Sequence, residues 1–147
     1  MSQENVELVQ GVFALIGDPD ADLAQLVRDD AIWAAAAQGA ATVLHPDFEI
    51  VGTVIGTERP FVGIQGLREF LLDWLAPWDT YRSEVVQTND PGDDVVTIFR
   101  AFGRRDRSTS ELEGSAAWIS TIRDGKVARI VGYADPAEAL NAVGLEG

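Results

Sequence analysis

The 147-residue chain contains no cysteine, one histidine and one methionine. Without cysteine there is no disulfide framework, no thiolate nucleophile and no Cys-based zinc site, and a lone histidine cannot assemble a metal centre. Stability must therefore come from packing, and a domain of this length buries roughly 70% of its unfolded surface, enough for a core without staples. Positive charge is also scarce. Eleven Lys and Arg stand against 24 Asp and Glu, a net charge of −13, which repels phosphate backbones and argues against nucleic acid as a partner. The longest apolar run, Ala31 to Ala37, falls far short of the roughly 20 residues a membrane span needs. The opening Met1 to Glu7 has no basic segment leading into an apolar one, so no membrane association is expected and the expected compartment is the cytoplasm. Walker loop, Rossmann glycine fingerprint, GxSxG and HExxH are all missing, and the carboxylates lack calcium-loop spacing. Neither metal nor cofactor is expected.

Amphipathic periodicity is abundant. Ser2 is placed to cap a helix carrying Val6, Val9, Phe13 and Ile16, with Gly17 ending it. Asp18 or Asp20 can start a second helix through Leu23, Leu26 and Val27, and Asp29 or Asp30 a third, alanine-rich one with Ile32 and Trp33. After a His45-Pro46-Asp47 turn, Phe48 to Val54 reads as a strand. Ile64, Leu67, Phe70, Leu71, Trp74 and Leu75 then form the clearest helical stripe, stopped by Pro77. Tyr81 to Thr88, Val95 to Arg104, Leu112 to Arg123 and Val127 to Ala134 read as an antiparallel meander, and Asp135-Pro136-Ala137-Glu138 opens a last helix as a capping box. Between Val95 and Phe102 neither alternating face is polar throughout. Helices can cover only the concave side of a curved sheet, so the pattern points to a homodimer through the convex side.

Helices, one strand, a long helix and a four-strand meander follow the order of the nuclear transport factor 2-like superfamily. Local wording resembles its SnoaL-like branch: Ser2 to Glu7, His45-Pro46-Asp47-Phe48-Glu49, Gly63 to Phe70, Arg123-Asp124-Gly125-Lys126-Val127, and Tyr133-Ala134-Asp135 before Glu138-Ala139-Leu140. The resemblance implies one α+β domain over 1–147, with a cone-like, curved, mostly antiparallel sheet wrapped around the N-terminal helices and one long helix. The stretch 31–42 looks like a helical insertion relative to shorter relatives. The fold hosts isomerases, cyclases, epoxide hydrolases and non-catalytic binders. The implied function is a pocket for a small, mostly apolar molecule, with isomerisation, cyclisation or hydrolysis as the possible chemistry, and a ligand carrier or protein-interaction module as the alternative.

The residues depart from the catalytic pattern of such relatives. Where many carry Trp followed by His or Asp on the first strand, this chain has Ile50-Val51-Gly52, and Trp118 stands where many have a pocket-facing His. Limonene-epoxide-hydrolase-like enzymes bridge two aspartates with an arginine. Arg100 could be that arginine, but Phe102 and the run Arg129 to Gly132 lack the carboxylates. Arg100 must meet a carboxylate, a ligand or solvent. It is either a structural ion pair, with Glu84 or Glu113, or a pocket donor, and a one-residue slip in register decides between them. The candidate catalytic donors are thus Arg100 and Tyr133. The candidate ligand-binding wall is Trp33, Ile50, Phe70, Trp74, Tyr81 and Trp118, an excess of aromatic surface suited to an apolar ligand with one oxygen function.

Overall fold

The structure, a computed structural model, describes Glu7 and residues 22–52, 60–89, 94–105, 110–133 and 135–144. The helix expected from Ser2 to Gly17 lies outside these residues, apart from Glu7.

Between residues 22 and 40 lie two short helices. Helix α1, Leu23–Arg28, is capped by Asp22, whose carboxylate accepts from the Ala24 N–H, so the cap sits later than the Asp18 or Asp20 expected. Helix α2, Asp30–Ala40, is capped by Asp29, which accepts from Ala31 and Ile32. Strand β1, Leu44–Gly52, begins before the expected turn. His45-Pro46-Asp47 is carried inside the strand because the pairing shifts register between Leu44 and Glu49, which absorbs the proline. There the His45 Nδ1 accepts from the Asp47 N–H at 3.0 Å.

Strand β2, Phe61–Val62, is a two-residue pairing hidden in what reads as loop. Gly63, at φ 75°, turns the chain into helix α3, Gly63–Leu75. This helix buries Leu67, Phe70, Leu71 and Leu75 of the expected stripe, with Ile64 and Trp74 partly buried. The meander follows as β3 (Thr80–Asn89), β4 (Asp94–Arg104), β5 (Leu112–Arg123) and β6 (Lys126–Tyr133). Asp124 and Gly125, both at positive φ, make the tight turn between the last two strands. Helix α4, Pro136–Ala142, is capped by Asp135 through the Ala137 N–H.

The six strands form one curved sheet in the order β2-β1-β6-β5-β4-β3, antiparallel except where β1 lies parallel to β6. Helices α1 and α3 pack on its concave face, with α2 against α1, and there Ile50, Phe70, Val95, Phe99, Trp118 and Ile130 join one core. Val96, Ile98, Ala117 and Ile119 point the other way, and α4 covers them with Ala139 and Leu140. The two-sided apolar pattern that pointed to a second copy is thus satisfied over this stretch within one chain. Among the described residues no helix is long and apolar enough to cross a membrane.

Candidate functional site

Position along β4 and β5 decides what faces the interior. Thr97 pairs with Trp118, Phe99 with Ala116 and Ala101 with Gly114, so these side chains share the concave face with Tyr81 and Ser83, which pair with Gly103 and Ala101. Toward the Arg104 end of β4 the concave wall therefore carries Ala101, Gly103, Gly114 and Ala116. Four small residues in a block leave room that larger side chains would fill.

That room is a groove of about 660 Å³ between this wall and the end of α3 with the turn after it. Asp73, Trp74, Pro77 and Trp78 form one side, Ala101, Gly103, Gly114 and Ala116 the other, with Tyr81, Arg105, Leu112 and Glu113 among the remaining lining residues. Trp78 rests on Gly103 so closely that a Cβ there would lie 2.4 Å from its ring, and the Arg105 guanidinium lies over the same indole, 5.5 Å from its centroid. At Gly114 a Cβ would meet nothing within 4 Å.

Behind the groove lies a second, apolar cavity of about 20 Å³, room for about one water molecule, lined by Leu23, Leu71, Trp74, Leu75, Tyr81, Ser83, Phe99 and Trp118. Trp74 and Tyr81 border both spaces and so form the partition between them. Trp118 closes the inner one. Its ring meets Phe70, Trp74 and Phe99 edge-on at 5.9–6.2 Å between centroids, and Gly132 gives the two indoles space, its absent Cβ falling 3.3 Å from each.

The partition has a polar element. The Tyr81 phenol accepts a hydrogen bond from the Trp74 side chain, and burial pushes its pKa above the usual 10.0, outweighing that bond, which acts in the opposite direction. The phenol is accordingly neutral at ordinary pH and keeps a proton to donate to a ligand oxygen. It is a donor rather than a base. Because its folded-state pKa lies above the unfolded value, its contribution to stability is complete below about pH 10 and is lost as pH rises further. Urea unfolding between about pH 8 and about pH 11 should show the native chain losing stability relative to Tyr81→Phe only at the alkaline end. Parallel curves for the two proteins would contradict this.

The capping residue of α1 and its last side chain hold these walls in place. Asp22 Oδ1 accepts from the Tyr81 backbone N–H at 3.0 Å as well as capping α1. Arg28 donates to the carbonyls of Leu75 (2.8 Å) and Trp78 (2.6 Å), closing the end of α3.

Of the residues singled out from sequence, Trp74, Tyr81 and Trp118 line these spaces, and Phe70, fully buried, backs them. Ile50 is fully buried in the core beside Ile130 and Phe61. Trp33 is buried too, under Arg68, which lies 5.8 Å from its ring centroid and donates to Val27 and Asp30. Neither Ile50 nor Trp33 lines the groove or the inner cavity. Arg100 and Tyr133, the expected catalytic donors, are on the other side of the sheet. Arg100, half exposed, pairs with Glu84 at 3.5 Å and Glu113 at 3.1 Å, the structural ion pair among its two readings. Tyr133 pairs with Ala117 in register and packs toward α4. Sequence reasoning missed Trp78 and the small-residue block. The signal for the block was present, since Ala101 and Gly103, and Gly114 and Ala116, recur at the period of two that places them on one face.

Comparison with known proteins agrees with this architecture. A family model described as the SnoaL-like domain matches residues 23–130. The chain belongs to this SnoaL-like family. Solved structures with the same fold include TerC co-crystallised with polyporic acid, 21% identical, with a TM-score of 0.67 over 96% of this chain and 98% of that one. A protein of Jannaschia sp. CCS1, named provisionally as a SnoaL-like polyketide cyclase, is 18% identical, with a TM-score of 0.66 over 97% and 95%. A hypothetical protein of Catenulispora acidiphila DSM 44928 with a ketosteroid isomerase-like fold, in complex with trimethylamine, is 14% identical, with a TM-score of 0.60 over 95% and 93%. At such identities the likeness speaks for the fold. Among curated proteins none matches. The SnoaL-like core matched by the family model spans α1 to β6, and both the groove and its Asp22 and Arg28 braces lie within or at its borders.

Proposed function

We propose that this SnoaL-like chain binds a small, mostly apolar molecule in the groove between the end of α3 and the β3–β4–β5 wall. The observation that carries the reading is the groove's construction. Its roughly 660 Å³ falls in the range of about 300–1,000 Å³ usual for ligand sites, its wall is kept open by Ala101, Gly114 and Ala116, and aromatic surface from Trp74, Trp78 and Tyr81 faces it. The Tyr81 phenol supplies one hydrogen bond to fix orientation. That two structures of this fold hold polyporic acid and trimethylamine supports a small-molecule site in general. Binding is the reading put before isomerisation, cyclisation or hydrolysis, because Arg100 and Tyr133, the expected catalytic donors, stand outside the groove.

Gly114 offers a clean test. A phenylalanine there points into open groove on a strand, at a backbone conformation open to L residues, so Gly114→Phe should change stability by no more than about 0.5 kcal/mol. It should weaken binding of the neutral fluorescent probe N-phenyl-1-naphthylamine at least about tenfold, roughly 1.4 kcal/mol. Unchanged probe binding in a folded Gly114→Phe protein would refute the groove as the site.

A further inference from the structure

The groove carries more than apolar surface. Asp73 and Glu113 both line it. Glu113 is already engaged by Arg100 at 3.1 Å, whereas the Asp73 carboxylate has no ion pair or side-chain hydrogen bond among the described residues. Asp73 is next in sequence to Trp74 near the end of α3, and Trp78 lies in the turn beyond it, with the Tyr81 ring edge-on to it at 5.8 Å. The negative charge and the aromatic side chains thus line the same groove. Among the described residues the one cation of the groove lining, the Arg105 guanidinium, lies over Trp78. That contact shows that this indole face accepts a cation, provided here by an exposed side chain just after β4.

We propose that the ligand of this groove bears a positively charged amine, seated against Trp78 in place of the Arg105 guanidinium and opposite the Asp73 carboxylate. The inference rests on the groove being the binding site. Three physical effects act together. Aromatic faces attract ammonium groups through their quadrupole, more strongly as water is excluded. Asp73 supplies the countercharge at the groove's edge. The net charge of −13 over the whole chain raises the local concentration of cations and lowers that of anions. Arg105 works against the ligand in two ways, as a like charge and as a competitor for Trp78, so its removal should improve cation binding. A surface arginine with no bearing on the ligand would have no such effect.

Benzyltrimethylammonium and its uncharged isostere neopentylbenzene separate charge from shape. Calorimetric titration of the full chain at low ionic strength should show the ammonium bound about tenfold more tightly than the isostere. Asp73→Asn should lower the ammonium's affinity several-fold and leave the isostere's unchanged. Arg105→Gln should raise the ammonium's affinity, and added salt should weaken the ammonium alone, as screening requires. Equal affinities for the two compounds, both abolished by Gly114→Phe, would overturn the charge assignment while leaving the groove as a site. Binding that ignores Gly114→Phe, or no binding of either compound, would overturn the groove reading and the amine with it. An increase with Arg105→Gln that is equal for both compounds would mark Arg105 as a steric plug, which also contradicts the proposal.

Discussion

Trp118→Ala should cost about 3–5 kcal/mol of unfolding free energy, the range for deleting a buried large aromatic side chain. The ring is 3% exposed and meets Phe70, Trp74 and Phe99 edge-on. Three aromatic partners on an α3 helix and a neighbouring strand cannot all close the gap, since Phe70 is itself held against Gly52, whose absent Cβ would lie 2.4 Å from it. The small cavity next to Trp118 would therefore enlarge rather than collapse. Chemical denaturation is the measurement. Had Trp118 served mainly as a ligand wall, the loss would fall well below this range, so a cost under about 2 kcal/mol would return it to that role.

Asp22→Ala is the second large effect, about 2–3 kcal/mol, because one carboxylate does two jobs. Losing the α1 cap costs about 1 kcal/mol. Leaving the Tyr81 N–H without its acceptor at a buried position adds about 1–2 kcal/mol. Asp22→Asn keeps an acceptor oxygen in the same place and should recover most of the loss. Denaturation of the two variants side by side checks this, and an asparagine variant as unstable as the alanine one would show that the carboxylate's charge, rather than its hydrogen bonds, is what matters. The alanine variant should also weaken probe binding, since Tyr81 borders the groove.

Much of the architecture was legible in the sequence, and the exceptions have identifiable causes. Strand β5 runs from Leu112 to Arg123 as expected, and the Asp135 cap and the α3 stripe are where periodicity puts them. Strand β1 starts at Leu44 because a register shift accommodates Pro46, which as a sequence signal reads as a turn. Strand β2 is too short to have a period. The cap of α1 is Asp22 rather than the expected Asp18 or Asp20, because its carboxylate is the one that reaches the Ala24 N–H.

The site was less legible. Arg100 and Tyr133 were reasonable donors by residue type, but a strand pattern apolar on both faces, such as Val95 to Phe102, does not say which face is concave. That is settled by α4, which takes the Val96 and Ile98 side and leaves Arg100 with two glutamates. The aromatic residues were easier to place. Bulky rings on the α3 stripe and on inward strand positions had to meet, and Trp74, Tyr81 and Trp118 do. Trp78 follows a helix-stopping proline, where periodicity ends, and only the contact with Gly103 reveals its place in the groove wall.

Gly114 has a wider meaning for how such a scaffold acquires chemistry. Most interior positions of a packed protein resist a new side chain because a neighbour must move, as Gly52 and Gly103 do here. Gly114 has no such neighbour, and its backbone conformation suits any L residue. A single codon change could install a carboxylate, an imidazole or a hydroxyl in the same groove as the Tyr81 phenol with no packing rearrangement. Reactivity could then change in one step while the sheet, its helices and their stability stayed as they are, which gives a local, atomic cause for one fold supporting many activities.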